Sequence, residues 1–431
     1  SGRGTTAAGA RRLRSLLVIS QMALTLILLI NAGLLGKSFY RLLQNDPGFR
    51  PESAVVMDLS LPRYDRGPQE MKRMMANIKA VQEGKPVPEN ELMRPDQDER
   101  QRQTAQTKQQ ILERLSQLPG VIAVGSINTF PLRGGGSSGT FLIDNDPSKT
   151  GSADYRVTSP GYFAAMGIPL LRGRLFDQSD RSDSPPVAVI SQVFAERYWP
   201  DENPIGKRIQ FGNMDGDIRL IEIVGVVGNV RDRGLEANPG AILYAYDLQR
   251  PQSSSMSVVL RAQADPMSLV PQMRQAVQSV NSELPTSFRT IEQIFSASLD
   301  TRRFSLVIFG VFASVALILA IMGIYGVMSY TVTQSTHEIG IRMALGAQRR
   351  DVLKLVVGQG LVLSMVGIGI GVVAAFGVTR LVSSLLYGVS ATDLTTFAAI
   401  SAVLASAALV ASYVPARRAT RVDPMIALRE E

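Results

Sequence analysis

The sequence of 431 residues contains no cysteine, one histidine and one tryptophan. The lack of cysteine excludes a disulfide framework, a thiolate nucleophile and a thiolate metal site. The histidine, His337, precedes Glu338, but the zinc-protease motif HExxH needs a second histidine where Ile341 stands. A serine, histidine and aspartate triad would depend on the same histidine. We therefore expect no catalytic residue, no metal site and no cofactor.

Charged residues are missing from four long apolar runs, at residues 16–36, 304–328, 355–378 and 397–414. A helix needs roughly 20 apolar residues to cross a bilayer, so the runs predict four transmembrane helices. The last run is the shortest and is rich in Ala and Ser. Because no Asp, Glu, Lys or Arg lies in mid-span, the runs give no sign of an ion or proton path.

The net charge of +8 is concentrated beside these runs. Residues 1–14, 329–354 and 415–431 together contain twelve Lys or Arg against five Asp or Glu. Positive charge next to membrane spans indicates the cytoplasmic side and argues against a nucleic-acid partner. We therefore predict that both termini and the 329–354 loop are cytoplasmic. Four basic residues at the outer ends of the first two spans oppose this trend: Lys37, Arg41, Arg302 and Arg303.

The predicted fold class is an α-helical membrane protein, with four transmembrane helices and a large α+β extracytoplasmic domain inserted between helices 1 and 2. In chain order, the predicted segments are a cytoplasmic linker (1–15), transmembrane helix 1 (16–36), the extracytoplasmic domain (37–303), transmembrane helix 2 (304–328), a cytoplasmic loop (329–354), transmembrane helix 3 (355–378), a short outer loop (379–396), transmembrane helix 4 (397–414) and a cytoplasmic tail (415–431).

The extracytoplasmic domain contains two β-α-β patterns that are far apart in sequence, at residues 54–129 and 256–291. Two such units predict a split, ferredoxin-like sheet formed by residues 50–130 and 255–292. The intervening residues 153–247 are predicted to form an inserted subdomain.

Within the inserted subdomain, Ser191 is expected to cap a short helix. Residues 218–230 are read as a long hydrophobic strand, bent or interrupted near Gly225. Tyr162 and Phe163 follow a Ser-Pro pair and are expected to pack inward.

Residues 31–38 read NAGLLGKS, which resembles the phosphate loop GxxxxGK[ST] except that Asn31 replaces the first Gly. A phosphate loop lies between a strand and a helix, whereas this segment ends an apolar run. We interpret its small residues as helix-packing positions, with Lys37 extending to the membrane interface.

Small residues four apart recur in the spans, and they let helices approach closely. The pairs are Gly310 with Ser314, Ala316 with Ala320, Gly360 with Ser364, and Gly367 with Gly371. Close packing without a polar lining is typical of helices that transmit movement.

The loop at residues 337–354, HEIGIRMALGAQRRDVLK, connects two of the apolar runs. Glu338 and Arg342 lie four apart and can pair on one face of a helix, while Ile339, Met343 and Gly346 follow along a neighbouring face. This pattern predicts a short amphipathic helix at the membrane surface, where a cytoplasmic partner could move two spans together.

Four segments carry a resemblance to the MacB and FtsX-like family of ABC transporter permeases. HEIGIRMALGAQRRDVLKLV resembles its cytoplasmic coupling segment, and VPARRATRVDPMIALREE resembles its C-terminal signature. SPGYFAAMGIPLLRGR and ISQVFAERYWPDENPIGKRI are similar to its periplasmic core domain. The likeness covers nearly the whole chain apart from residues 65–106. Since the start resembles the junction inside duplicated, eight-span members, we expect the chain to be the C-terminal half of one.

The resemblance implies a permease of the bacterial inner membrane that hydrolyses nothing itself. A separate cytoplasmic ABC ATPase would act on the loop, and its movement would pass to the extracytoplasmic domain for export of a drug, peptide or lipoprotein. The alternative is an FtsX-like scaffold that controls an envelope protein such as a cell-wall hydrolase. The positions implied to contact the ATPase or shape the coupling helix are Glu338, Ile339, Gly340, Arg342, Leu345 and Gly346.

The resemblance also implies partners besides the ATPase and membrane lipid. These are a second copy or the other half of a duplicated pseudo-dimer, a periplasmic adaptor and an outer-membrane channel.

Overall fold

The computed structural model describes residues 3–60, 68–83, 85, 87, 99–215, 217–250, 255–335, 339, 341–342 and 348–420. The chain divides into two compact units. The membrane unit contains Ser1–Gln44 and Asp300–Glu431, and the extracytoplasmic unit contains Asn45–Leu299.

The elements of the described chain follow one another in this order: α1 (Arg3–Leu43), β1 (Ala54–Ser60), α2 (Pro68–Gln82), α3 (Glu99–Ser116), β2 (Val121–Ile127), β3 (Ser137–Ile143), β4 (Asp146–Thr158), α4 (Tyr162–Met166), β5 (Leu170–Gly173), β6 (Val187–Ser191), α5 (Gln192–Tyr198), β7 (Arg208–Gln210), α6 (Gly212–Asp215), β8 (Ile221–Val227), β9 (Ile242–Tyr246), β10 (Ser255–Ala262), α7 (Val270–Gln278), β11 (Thr286–Thr290), α8 (Ile291–Gln334), α9 (Arg349–Leu381) and α10 (Leu394–Ala419). Short 3-10 helices lie at Pro266–Leu269 and Ser383–Leu385.

Four helices of the described chain are long and apolar enough to cross a membrane, which confirms the predicted fold class. They are Leu13–Leu43, Ile291–Gln334, Arg349–Leu381 and Leu394–Arg418, called spans 1 to 4 below. Span 2 belongs to α8, a helix of 44 residues that begins directly after β11. At 1.5 Å per residue it is roughly 66 Å long, about twice the thickness of the hydrocarbon core.

Spans 1 and 3 approach each other closely because glycines face the contact. A Cβ added at Gly367 would lie 2.6 Å from the Cβ of Met22, and one added at Gly371 would lie 3.0 Å from the Cα of Ala23. A Cβ added at Gly360 would likewise be too close to the side chain of Ser412 in span 4. These contacts confirm the predicted role of the small residues in span 3.

The small-residue prediction is wrong for Gly310. A Cβ added there would meet no atom of the described residues within 4 Å, and Ser314 is exposed. Ala320, in contrast, is buried in the helix core, and the carbonyl of Ala316 accepts a hydrogen bond from Thr25 of span 1 at 3.2 Å. Spacing alone identifies a small pair, but the rotation of the helix decides whether that pair faces a neighbour.

The first part of the extracytoplasmic unit is a four-stranded antiparallel sheet in the order β11-β1-β10-β2. The two β-α-β units are confirmed as β1-α3-β2 and β10-α7-β11. Apolar residues of α3 and α7, including Ile111, Leu115, Met273 and Val277, are buried against the strands. The sheet therefore has one face covered by both helices.

The second part is a closed circuit of six strands among the described residues, in the order β4-β3-β7-β8-β6-β9 and back to β4. Two of the six pairings, β4 with β9 and β6 with β8, are parallel. Its core is rich in aromatic rings, with Phe141 stacked on Phe194 and Phe211 at centroid distances of 5.0 and 5.6 Å. The circuit joins the four-stranded sheet where β2 meets the end of β4, at the pair Ile127 and Thr158.

Several local predictions for this part are confirmed. The Ser191 side chain caps α5 by accepting a hydrogen bond from the amide of Phe194. Tyr162 and Phe163 are fully buried. The predicted strand 218–230 is shorter in the structure, where β8 is Ile221–Val227, and its pairing with β6 shifts register beside Gly225. The predicted boundaries of the two parts, 50–130 with 255–292 and 153–247, stay predictions. In the structure, β3 and the start of β4 belong to the six-stranded circuit although they precede residue 153.

Candidate functional site

The candidate site is the connection between spans 2 and 3. Helical hydrogen bonding continues past the end of α8, since the amide of Ser335 donates to the carbonyl of Thr331 at 3.0 Å. The amide of Ile339 then donates to the carbonyl of Ser335 at 2.8 Å. Ile339 is therefore joined by a hydrogen bond to Ser335, the residue that follows α8.

The side chain of Ile339 packs against residues of both neighbouring helices. It is only 5% exposed and packs in a small cluster with Val352 of α9 and the partly buried Val332 of α8. Burying an isoleucine side chain from water is worth on the order of 1.5–3 kcal/mol. Ile339 therefore contacts residues near the ends of both helices directly.

The start of α9 is closed by a capping box. The Gln348 side chain accepts from the amide of Asp351, and the Asp351 carboxylate accepts from the amide of Gln348 at 3.2 Å. Arg349, Arg350 and Lys354 are exposed around this end. Basic residues in a first turn oppose the helix dipole, so they do not stabilise the helix. Their charge is available to anionic lipid or to a partner protein.

The structure describes two of the six predicted coupling residues. Ile339 is buried, as stated above, and Arg342 is exposed. Ile341, between them, is 40% exposed and presents an apolar surface to solvent. The other four predicted positions, and with them the proposed Glu338–Arg342 pair, lie outside the described residues: Glu338, Gly340, Leu345 and Gly346.

Sequence reasoning missed a cluster at the opposite end of span 1. The Lys37 ammonium lies 2.7 Å from the carboxylate of Asp393, which caps span 4 by accepting from the amide of Thr396. Ser38 accepts a hydrogen bond from the amide of Tyr387 at 2.7 Å, and Arg41 donates to the carbonyl of Gly388. These bonds fasten the short loop between spans 3 and 4 to span 1.

The cluster also accounts for two of the four basic residues that oppose the charge rule. Hydrogen bonds from Lys37, the largest contribution, and from Thr396 and Thr395 lower the pKa of Asp393 below its ordinary value. Lys37 and Arg41 therefore have defined partners in the outer loop. The only sequence signal for this was an acidic residue at the start of span 4.

The segment NAGLLGKS lies entirely inside α1, with the side chain of Asn31 donating to the carbonyl of Ile27 at 2.7 Å. A continuous helix leaves no strand-to-helix loop whose amides could hold phosphates. A Cβ added at Gly33 would lie 3.1 Å from the side chain of Thr396 in span 4, which supports the helix-packing interpretation. Within the described part of the chain, no group of three or more His, Asp or Glu side chains could hold a metal ion.

Comparison with known proteins gives matches to both units. A family model described as MacB-like periplasmic core domain matches residues 68–280, and one described as FtsX-like permease C-terminal matches residues 310–424. The pyoverdine export ATP-binding/permease protein PvdT of Pseudomonas putida is 28% identical over 288 residues, which are 61% of this chain and 41% of that protein. The macrolide export ATP-binding/permease protein MacB of Marinobacter nauticus is 25% identical over 291 residues, which are 65% of this chain and 44% of that protein.

The chain thus spans less than half the length of these relatives. Among solved structures, the periplasmic region of MacB from Actinobacillus actinomycetemcomitans matches 60% of this chain and 97% of its own, with 15% identity and a TM-score of 0.36. Because that score is low, the assignment depends on the sequence matches. Together with the four apolar helices, they identify a multi-pass inner-membrane protein with a large extracytoplasmic domain. The chain belongs to the MacB/FtsX-like family of ABC transporter permeases.

Proposed function

We propose that this chain is the part of an ABC exporter that passes ATP-driven movement from the cytoplasm to the extracytoplasmic domain. The observation that supports this most directly is the burial of Ile339 against Val332 and Val352. A partner that displaces the 337–354 loop would act on the ends of spans 2 and 3 at once. α8 is one continuous helix that begins directly after β11 and contains span 2. In this proposal, a displacement of span 2 is carried along the backbone of that helix to β11.

The spans are proposed to transmit movement and not to form a channel. The contact between spans 1 and 3 is made by Gly367, Gly371, Met22 and Ala23, which leaves no room for a solute between them. In this proposal, the extracytoplasmic domain acts on the cargo. PvdT is named for pyoverdine export and MacB for macrolide export. We extend the cargo class for this chain to a drug, peptide or lipoprotein.

The proposed partners follow from the same assignment. A cytoplasmic ATPase subunit supplies hydrolysis in this proposal, and the relatives PvdT and MacB are both named ATP-binding/permease proteins. A second copy or a duplicated half completes a pair of permease units. A periplasmic adaptor and an outer-membrane channel would carry cargo onward from the extracytoplasmic domain.

Two of the predicted coupling residues provide the test. Replacing Arg342 and Leu345 with alanine together should reduce the amount of ATPase that co-purifies from native membranes by about tenfold, equivalent to about 1.4 kcal/mol of binding free energy. Membrane insertion and thermal stability should stay unchanged. Arg380→Ala is the control, because it removes an exposed arginine near the end of α9 that lies farthest along the chain from the loop.

Equal recovery of the ATPase from the double variant and the control would remove the coupling assignment. Recovery of a cell-wall hydrolase with the chain, without an adaptor or channel, would instead support the regulatory scaffold. Mass spectrometry of the co-purified proteins distinguishes these outcomes.

A further inference from the structure

A cavity of about 230 Å³, partly open to solvent, lies in the extracytoplasmic unit. One wall is α3, which contributes Lys108 and the apolar side chains of Ala105 and Leu112. The opposite wall is formed by Pro160, after β4, and by Tyr246 and Asp247 at the end of β9. The cavity therefore lies where the four-stranded sheet meets the six-stranded circuit.

The side chain of Lys108 is 6% exposed and lines the cavity. An ammonium with so little access to water is stabilised by an anionic partner. Burial lowers the pKa of Lys108. Burial also raises the pKa of Asp247 to about 6, although the charge of Lys108 opposes this. Both side chains line the cavity, and the charge of each acts on the other.

The two opposite charges restrict what the cavity can accept. A simple anion would be attracted by Lys108 and repelled by Asp247, and a simple cation would meet the reverse arrangement. A molecule with one carboxylate and one ammonium satisfies both groups and adds no net charge to the buried site. Ala105, Leu112, Pro160 and Tyr246 would surround an apolar side chain.

We propose that this cavity is a binding site for a free α-amino acid with an apolar side chain, its carboxylate on Lys108 and its ammonium on Asp247. The volume is consistent with so small a ligand, because sites for drug-sized molecules measure roughly 300–1,000 Å³. Since the ligand contacts both parts of the extracytoplasmic unit, its binding would stiffen the junction between them. This site does not depend on the exporter assignment and is tested separately from it.

Equilibrium dialysis of the full chain in detergent against tritiated L-leucine at neutral pH tests the proposal. Saturable binding is expected, with one site per chain. Leucinamide lacks the carboxylate and isocaproate lacks the ammonium, so each should compete about tenfold more weakly than leucine, about 1.4 kcal/mol.

Three variants localise the site. Lys108→Met and Asp247→Asn each remove one charge and should weaken leucine binding by about tenfold. Ala105→Leu fills the cavity and leaves both charges in place, and it should abolish binding. Lys149→Met is the control, because Lys149 is an exposed lysine of the same unit that pairs with Asp146 at 3.5 Å. This control should bind leucine as the unmodified chain does.

Absence of saturable leucine binding to the unmodified chain would overturn the proposal. Competition by isocaproate equal to that of leucine would overturn the role of Asp247, and unchanged binding in folded Lys108→Met would overturn that of Lys108. If a charge variant fails to fold, the competition experiments on the unmodified chain still decide the question.

Discussion

Spans 2 and 3 have similar composition but different surroundings within the membrane unit. Span 3 presents Gly360, Gly367 and Gly371 to its neighbours, at distances that exclude any side chain. Span 2 leaves most of its large apolar residues exposed among the described residues, and these include Phe304, Val307, Val311, Phe312, Val315, Ile318, Leu319 and Met322. Hydropathy identifies both as membrane helices, but only the close contacts show that span 3 is held in a bundle while one face of span 2 is uncovered.

This difference is relevant to a transmitting role. Spans 1, 3 and 4 share glycine contacts and the outer cluster of Lys37 and Asp393, so they form one tightly connected group. Span 2 touches this group through a narrow strip that contains Ala313, Ala320, Ile324 and Met328. A helix with fewer close contacts can shift against a rigid neighbour at lower cost. Span 2 is also the span that continues directly from β11.

The largest expected effect comes from emptying the closely packed contact. Met22→Ala removes a fully buried side chain next to Gly367 and should lower the free energy of unfolding by about 2 kcal/mol or more. Met322→Ala is the matched control, because Met322 is 62% exposed. Unfolding in detergent by titration with sodium dodecyl sulfate measures both. Equal losses would mean that the two spans are packed alike.

Overfilling the same contact should have the next largest effect. Gly367→Leu has no space beside Met22 and should cost about 1–3 kcal/mol through overpacking. Gly369→Leu, on the open side of the same helix, meets no atom of the described residues within 4 Å and should be close to neutral. Thermal unfolding of both variants checks the assignment. A stable Gly367→Leu protein would show that span 3 does not press against span 1.

A smaller effect is expected at the outer cluster. Asp393→Ala removes the cap of span 4 and the partner of Lys37, and should cost about 1 kcal/mol. Because the folded protein lowers the pKa of Asp393, this stabilisation is present above the ordinary carboxyl pKa of about 3.9 and is lost as pH falls through the lowered value.

Melting temperatures of Asp393→Ala and the unmodified chain should therefore differ at neutral pH and converge in strong acid. Asp393→Asn keeps an acceptor for the amide of Thr396 and should recover part of the loss. A difference that stays constant with pH would contradict the role of the charge.

The smallest effect is expected at Gly310 of span 2. Gly310→Ala meets no atom of the described residues within 4 Å and should leave unfolding unchanged or stabilise the helix by up to about 1 kcal/mol, through the better helix propensity of Ala. Loss of stability on this substitution would show that another helix covers this face of span 2 in the membrane.

The parts that sequence reasoning predicted correctly depend on local signals. Uninterrupted apolar runs give the four spans, alternating strand and helix patterns give β1-α3-β2 and β10-α7-β11, and Ser191 marks the start of α5. Each signal lies within a few residues of what it specifies. The burial of Ile339 was also indicated locally, by its place on one face of a short helical pattern.

The parts that it missed join residues that are distant in the chain. The ion pair of Lys37 with Asp393 links positions 356 residues apart, and β4 pairs with β9 across nearly 90 residues. Closure of the six-stranded circuit and the cavity between Lys108 and Asp247 depend on such pairings. No spacing within one segment encodes them.

The sequence by itself determined which segments enter the membrane and which of the main segments are helical or extended, because these depend on apolar content and on neighbouring residues. Only the tertiary structure decided that Gly367 faces a neighbouring helix while Gly310 meets no atom of the described residues within 4 Å, and that Lys37 pairs with Asp393. Such outcomes depend on the rotation of one helix against another, which is set by the packing of all of them together.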